Sequence, residues 1–185
     1  YSDKQGVIIN SGMKRYQGRV NLTQKVNDKV TIALNANYSQ NVQDGQTASN
    51  SSWTPSNSYM YSVWAYRPVS PTGKDLLAAG FDDSIPMADD YRFNPVMSAR
   101  HEYRHKTTID LQTNASVTWE IIKGLKLKVM GGYSQRDYTA EEFNGSKTRT
   151  GNPHPNNTQY KGINGSLSNT KTTNLINENT LTYTL

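Results

Sequence analysis

The chain has 185 residues, no cysteine, 20 lysines and arginines against 15 aspartates and glutamates, and only 34% apolar residues. The absence of cysteine excludes disulfide frameworks, cysteine-bound zinc and thiol catalysis. The net charge of +5 is mild and spread along the chain, so we expect no nucleic-acid ligand. No run of about 18 apolar residues occurs, which excludes a transmembrane helix.

Early in the chain, apolar and polar residues alternate with a period of two, and a turn at Asn27, Asp28 and Lys29 interrupts the pattern. Successive side chains of a β-strand point to opposite faces, so each predicted strand has a dry face and a polar face. The turn carries the residue types that tight hairpins use. We therefore predict a hairpin with strands at about 13–26 and 30–42.

The same alternation returns twice later in the chain. A second hairpin is predicted at about 107–121 and 125–139, with a short turn near Gly124. A fifth strand is predicted at about 173–185, although Asn177 and Asn179 on its dry face weaken the pattern.

The predicted strands are joined by short turns and long connections in alternation. Residues of about 43–104 and 141–170 are rich in Gly, Pro, Asn and Ser and show no sustained period. Loops of this length are uncommon in compact soluble domains. They are ordinary on one rim of an outer-membrane β-barrel, where the opposite rim has short turns.

Aromatic residues lie at both ends of the predicted dry faces. Tyr16, Tyr38 and Tyr133 fall at strand ends beside the long loops, whereas Trp119 and Tyr183 fall near the opposite ends. An aliphatic band between interfacial aromatics is the layout of a lipid-facing surface. The alternative is a secreted β-sandwich, in which a second sheet covers the dry face and the module binds glycans or acts as an adhesin.

We therefore expect an all-β fold, an antiparallel transmembrane β-barrel segment of about five strands. Five strands do not close a membrane barrel, because bacterial examples begin at about eight. The alternating pattern also continues to Leu185. We expect the chain to be one part of a larger barrel.

The polar faces of the predicted strands carry four basic residues that we expect to face the lumen. Each of them also fits a plain hydrated wall position. These residues are Arg15, Arg19, Lys126 and Lys128.

Several sequence blocks resemble barrel hairpins of the SusC/RagA family of TonB-linked outer-membrane transporters of Bacteroidetes. They are SGMKRY at 11–16, VNLTQKVNDK at 20–29, NANYS at 35–39, NPV at 94–96, NASVTWE at 114–120, IKGLK at 122–126 and ENTLTY at 178–183. The resemblance implies a large single-chain barrel in the outer membrane, with an N-terminal plug, a SusD-like surface lipoprotein above it and TonB energising it from the periplasm.

The cargo that the resemblance implies is an oligosaccharide or a peptide. Neither a plug nor a TonB box is recognisable in the sequence, so the region that contacts TonB is expected outside this chain. This segment is then expected to contribute wall and outer loops to a nutrient importer, and no enzymatic activity.

A zinc peptidase is a rival interpretation, because His101, Glu102 and His105 match the H-E-x-x-H pattern. That pattern binds zinc only when one helix carries both histidines. Here a strand is expected to follow almost at once, basic neighbours such as Arg104 oppose a dication, and His154 is the one remaining histidine. We therefore expect a junction with a strand rather than a metal site.

The first long loop contains five aromatic residues: Trp53, Tyr59, Tyr61, Trp64 and Tyr66. Flat rings stack on sugars, and tyrosine hydroxyls bond to sugar or peptide groups, so these are candidates for contact with ligand or lipoprotein. Packing within a loop of this length is the simpler explanation, and we favour it.

The same loop contains four carboxylates, Asp82, Asp83, Asp89 and Asp90. Loop carboxylates bind calcium in some proteins, but the EF-hand spacing and its closing Glu are absent here. We expect a solvated loop and no cofactor.

Overall fold

The computed structural model describes residues 1–46, 59–66, 94–148, 150–153 and 162–184. Within them lie six strands and two helices. These are β1 (Ser2–Gln5), β2 (Gly12–Lys25), β3 (Val30–Asp44), α1 (Tyr59–Ala65), α2 (Pro95–His101), β4 (Glu102–Ile122), β5 (Leu125–Asn144) and β6 (Asn164–Tyr183).

The six strands form one antiparallel sheet in which each strand pairs with its neighbours in sequence. The prediction of an all-β fold is confirmed. The described sheet is open, with β1 at one edge and β6 at the other.

Four features of the strands differ from the sequence prediction. Strand β5 ends at Asn144 rather than near residue 139. Strand β4 begins at Glu102 rather than near residue 107, and β6 begins at Asn164 rather than near residue 173. The short strand β1 was not predicted. Period-two alternation detects a strand only where one face is apolar, and these additional segments have polar residues on both faces.

The pairing register brings the predicted dry faces together on one face of the sheet. Leu22 pairs with Leu34, Leu34 with Ala115, Ala115 with Gly131, and Gly131 with Asn177. Paired residues of neighbouring strands lie on the same side of a sheet. One continuous apolar face therefore extends from β2 to β6.

Two short turns close one end of the sheet, which we call the turn end. In the first turn, the Asn27 Oδ1 accepts hydrogen bonds from the N–H groups of Lys29 at 2.9 Å and Val30 at 2.8 Å. In the second, Gly124 adopts a φ of 86°, which favours glycine, and a Cβ there would lie 2.5 Å from the Thr184 carbonyl oxygen. The opposite end, where the long connections begin, we call the loop end.

The apolar face is not covered by a second layer of the described residues. Leu22 is 53% exposed, Val117 43% and Leu181 62%. The only buried hydrophobic residues in the described part of the chain are Ala99 and Ala140, both near the loop end. The apolar face must therefore meet something other than a second layer of the described residues, because leaving so much apolar surface in water is unfavourable.

Candidate membrane-facing surface

The central part of the apolar face contains no charged residue. It comprises even-numbered residues in 16–24 and 30–38 and odd-numbered residues in 111–119, 125–133 and 175–183. We call this set the apolar band. Most of its members are Val, Leu, Ile, Ala, Gly or aromatic residues.

The opposite face at the same level is polar and charged, and we call it the polar face. It carries Arg19 on β2, Lys126 and Lys128 on β5, and Glu178 on β6. Arg15 lies on this face as well, just beyond the level of the band. The structure thus places all four predicted lumen residues on one side of the sheet, and their role in a lumen stays a prediction.

The aromatic residues at the loop end of the band do not lie in one row of paired residues. Through the register, Tyr16 aligns with Ile109, Tyr38 with Leu111, and Tyr133 with Thr113. The loop-end edge of the band therefore shifts by four residues between β2 and β5, always toward the turn end. With about 3.3 Å per residue and about 4.8 Å between strands, this edge is inclined by about 40° to the rows.

The turn-end edge is inclined in the same direction. Trp119 marks this edge on β4 and aligns, through Leu127, with Leu181 on β6, whereas the edge on β6 is marked by Tyr183. That is a shift of two residues over two strands, or about 35° by the same spacings. Two independent edges therefore define one oblique band.

The oblique edges account for polar residues that would otherwise interrupt the band. Asp137 and Lys171 share a row with Tyr16 and Ile109, yet on β5 and β6 they lie beyond the loop-end edge. Gln24, the polar residue on the apolar face of β2, falls at the turn-end edge. Charged groups on this face therefore lie outside the band, and the amide of Gln24 lies at its edge, so only β6 carries amides in its interior.

One expectation about the aromatic residues is wrong. Tyr38 and Tyr133 do not end their strands, because β3 continues to Asp44 and β5 to Asn144. The strands extend past the band at the loop end, where both faces are polar. Trp119 does lie close to the turn end, and Tyr183 is the last residue of β6.

The H-E-x-x-H segment does not form the helical zinc motif. Helix α2 starts with an Asn94 cap but ends at His101, and Glu102 is already extended. The His101 Nδ1 lies 2.9 Å from the Met97 carbonyl oxygen, and the His105 Nδ1 lies 2.6 Å from the Asp44 Oδ1. The two rings are therefore engaged separately, one on a helix and one on a strand.

The aromatic residues of the first long loop are only partly described. The Tyr59 hydroxyl donates to the Pro95 carbonyl oxygen at 3.0 Å, which joins α1 to α2. Burial raises the pKa of the Tyr59 phenol above its ordinary value, and the Glu102 carboxylate raises it further. Trp64 is 69% exposed and Tyr66 is half-buried.

The other candidate residues of the first long loop are either outside the described residues or described only in part. Trp53 and the four aspartates at 82–90 lie outside the described residues, and of Tyr61 only the backbone is described. Ligand or lipoprotein contact by this loop stays a prediction.

The sequence did not reveal a hydrogen-bonded cluster around Arg104 on the polar face at the loop end. The Arg104 guanidinium donates to the Asn144 Oδ1 at 2.6 Å and to the Phe143 carbonyl oxygen at 3.1 Å, and lies 3.6 Å from Glu102. Asn144 in turn donates to the Asn164 Oδ1 at 2.8 Å. This cluster links β4, β5 and β6 where the outer connections begin.

A second feature missed from the sequence is an open groove of about 470 Å³ on the polar face. Amides of Asn37, Gln112 and Asn174 line it, beside an ion pair in which the Arg136 Nε lies 2.6 Å from the Asp110 Oδ1. The pairing with Asp110 raises the pKa of Arg136. The groove offers several hydrogen-bond donors and acceptors.

No protein-family model matches the chain, and no curated protein matches it. Among the described residues, no helix is both long enough and apolar enough to cross a membrane. The same residues contain no group of three or more His, Asp or Glu side chains placed to hold a metal ion. The function of the chain must therefore be inferred from the two faces of its sheet and from its sequence.

Replacing Arg104 and Arg136 separately by Ala compares two arginines of the polar face. The Arg104 side chain is 14% exposed and bonded to several partners, so its loss should lower the free energy of unfolding by about 2–4 kcal/mol. The Arg136 side chain is 66% exposed, and its loss should cost less than about 1 kcal/mol. Urea unfolding of the purified protein measures both, and equal effects would contradict a structural role for the Arg104 cluster.

Proposed function

We propose that this chain is part of the wall of an outer-membrane β-barrel, with the apolar band against lipid and the polar face toward an aqueous lumen. The observation that carries this proposal is the distribution of charge. Over the central part of β2 to β6, every charged residue lies on one face of the sheet. Lipid-facing positions of membrane barrels exclude charge, whereas lumen positions accept it.

The height of the apolar band supports the proposal. Including the edge residues, the band runs for about nine residues on each strand, for example from Tyr38 to Val30 and from Tyr133 to Leu125. A tilted transmembrane strand needs about 9–11 residues. The parts of β4, β5 and β6 beyond the loop-end edge would then stand outside the membrane.

The inclination of the band gives separate support. Strands of membrane barrels tilt by about 35–45° from the barrel axis, so a membrane plane crosses the rows obliquely. The two aromatic edges of the band give about 40° and about 35° from different residues. A β-sandwich provides no reason for aromatic residues to follow such a line, and it also requires a second sheet over the apolar face.

A lipid-facing sheet has no free edges, because lipid satisfies no backbone N–H or carbonyl group. The described residues form six strands, fewer than bacterial membrane barrels use, and β1 has only four residues. The proposal therefore includes further strands of a larger protein beside β1 and β6.

The resemblance to the SusC/RagA family extends the proposal from a barrel to a nutrient importer. In the proposed importer, oligosaccharides or peptides are captured at the outer face with a SusD-like lipoprotein. They then pass through the lumen, and TonB energises this passage through a region outside this chain. The groove of amides and the Asp110–Arg136 pair would supply hydrogen bonds to a polar cargo along the wall. This segment performs no catalysis in that mechanism.

Placing arginine on adjacent positions of β3 tests the orientation of the wall. Leu34→Arg should cost about 2–4 kcal/mol in the complete protein, because a charge near the bilayer centre is costly. Ala33→Arg, the matched control on the polar face, should cost less than about 1 kcal/mol. Unfolding titrations in lipid vesicles measure both changes, and a negligible cost of Leu34→Arg would rule out lipid contact.

The importer function is tested by deleting the gene for this protein. Growth on one oligosaccharide or peptide source should be lost, while growth on the corresponding monomers is unchanged and a plasmid copy restores the loss. Unaltered growth on every oligomeric source that the parent strain uses, with the protein recovered from the culture medium, would favour the secreted adhesin instead.

A further inference from the structure

The polar face divides into two parts that differ in charge. On β4 to β6 it carries five basic and five acidic residues, which are Arg104, Lys106, Lys126, Lys128 and Arg136 against Glu102, Asp110, Glu120, Glu142 and Glu178. On β1 to β3 it carries four basic residues and no acidic one: Lys4, Arg15, Arg19 and Lys25. We call these four residues the cationic set. Their positive charge is not balanced on the strands that carry it.

The basic residues of the two parts also differ in their partners. On β4 to β6, the Arg136 Nε lies 2.6 Å from the Asp110 Oδ1, and the Arg104 guanidinium lies 3.6 Å from the Glu102 carboxylate. No ion pair within the described residues includes a member of the cationic set, and all four of its side chains are exposed. Like charges that share a surface concentrate ions of the opposite sign beside it. This part of the polar face is therefore suited to an anionic ligand.

Amide side chains lie beside the two arginines of the cationic set. Across β2 and β3, Arg15 pairs with Asn41 and Arg19 pairs with Asn37. The Oδ1 atoms of both asparagines are buried and accept no hydrogen bond from the described residues. Arg19 also lines a recess of about 140 Å³ that shares Asn37 and Gln112 with the groove of about 470 Å³. Guanidinium and amide groups therefore lie together along two adjoining depressions of the polar face.

We propose that the cargo is an anionic oligosaccharide, such as an oligomer of uronic acids, an inference that rests on the proposed importer. Arginine binds a carboxylate with two parallel hydrogen bonds, and charged side chains that line a passage select what passes by its sign. Sugar hydroxyls both donate and accept, so they suit the amides and supply donors for the Asn37 and Asn41 oxygens. Arg15 and Arg19 lie about 13 Å apart along β2, so an oligomer rather than a single sugar reaches both.

Binding of matched acidic and neutral tetrasaccharides tests the inference with the complete protein, purified from outer membranes in a mild detergent. Tetragalacturonate carries a carboxylate on every sugar, and its methyl ester has the same backbone without the charge. Tetramers of mannuronate, and of glucuronate alternating with N-acetylglucosamine, are compared with their esters in the same way. Calorimetry should show that the wild type binds one of the acids at least about tenfold more tightly than its ester. Raising the salt from about 0.05 M to about 0.5 M should remove most of this preference, because salt screens the charges.

Two double variants show whether the cationic set causes the preference. Arg15→Gln with Arg19→Gln should abolish the preference for the acid and leave binding of the ester unchanged. Lys14→Gln with Lys29→Gln removes the same net charge from outside the polar face and should keep the preference. Heat-modifiable mobility in gels shows that each variant still forms a barrel.

The possible failures are distinguishable. A wild type that binds no acid more tightly than its ester, or that binds tetraglutamate more tightly than every acidic tetrasaccharide, would overturn the inference and leave the importer proposal standing. Equal loss of acid and ester binding in the arginine variant would overturn it as well, because the arginines would then support the wall rather than recognise charge. A protein absent from the outer-membrane fraction would refute the proposed barrel itself.

Discussion

The exclusion of charge from one face of the sheet is the constraint on which the other features depend. Because side chains alternate along a strand, each strand meets this constraint only with a period of two, and paired strands meet it together only in one register. Leu22, Leu34, Ala115 and Gly131 lie in a single row as a result. The hydrated side chains, including Arg19 and Lys128, then share the other face. The proposed lipid contact and the proposed lumen therefore correspond to the two faces of the same sheet.

The strand segments beyond the band differ because charge is not excluded from either of their faces. Past Tyr133 on β5, both faces are polar, and hydrogen bonds and ion pairs replace the aliphatic surface. The Arg104 cluster joins three strands there, and the Tyr59 hydroxyl bonds to Pro95 beside the cap of α2. Binding loops commonly stand on such a rigid support. In the proposed importer, this rim would hold the outer loops above the passage.

The sequence predicted the parts of the fold that alternation encodes and failed where alternation stops. Both hairpins and the apolar faces of β2 to β5 follow from period-two patterning, and the Asn27 turn from its residue types. The first residues of β4 and β6 were missed because nothing apolar marks one face there. The oblique band was also beyond prediction, because it depends on how Tyr16, Tyr38 and Tyr133 align across strands that are distant in sequence. A single sequence does not give that register.

Collision measurements on spin labels would test the orientation of the sheet most directly. Labels placed singly at Val117 and Val129, and at their neighbours Thr118 and Lys128, sample the two faces of β4 and β5 at one level of the complete protein in lipid vesicles. The account predicts frequent collisions with oxygen and few with a water-soluble nickel chelate at Val117 and Val129, and the reverse at Thr118 and Lys128. Equal access of the chelate to all four positions would contradict it.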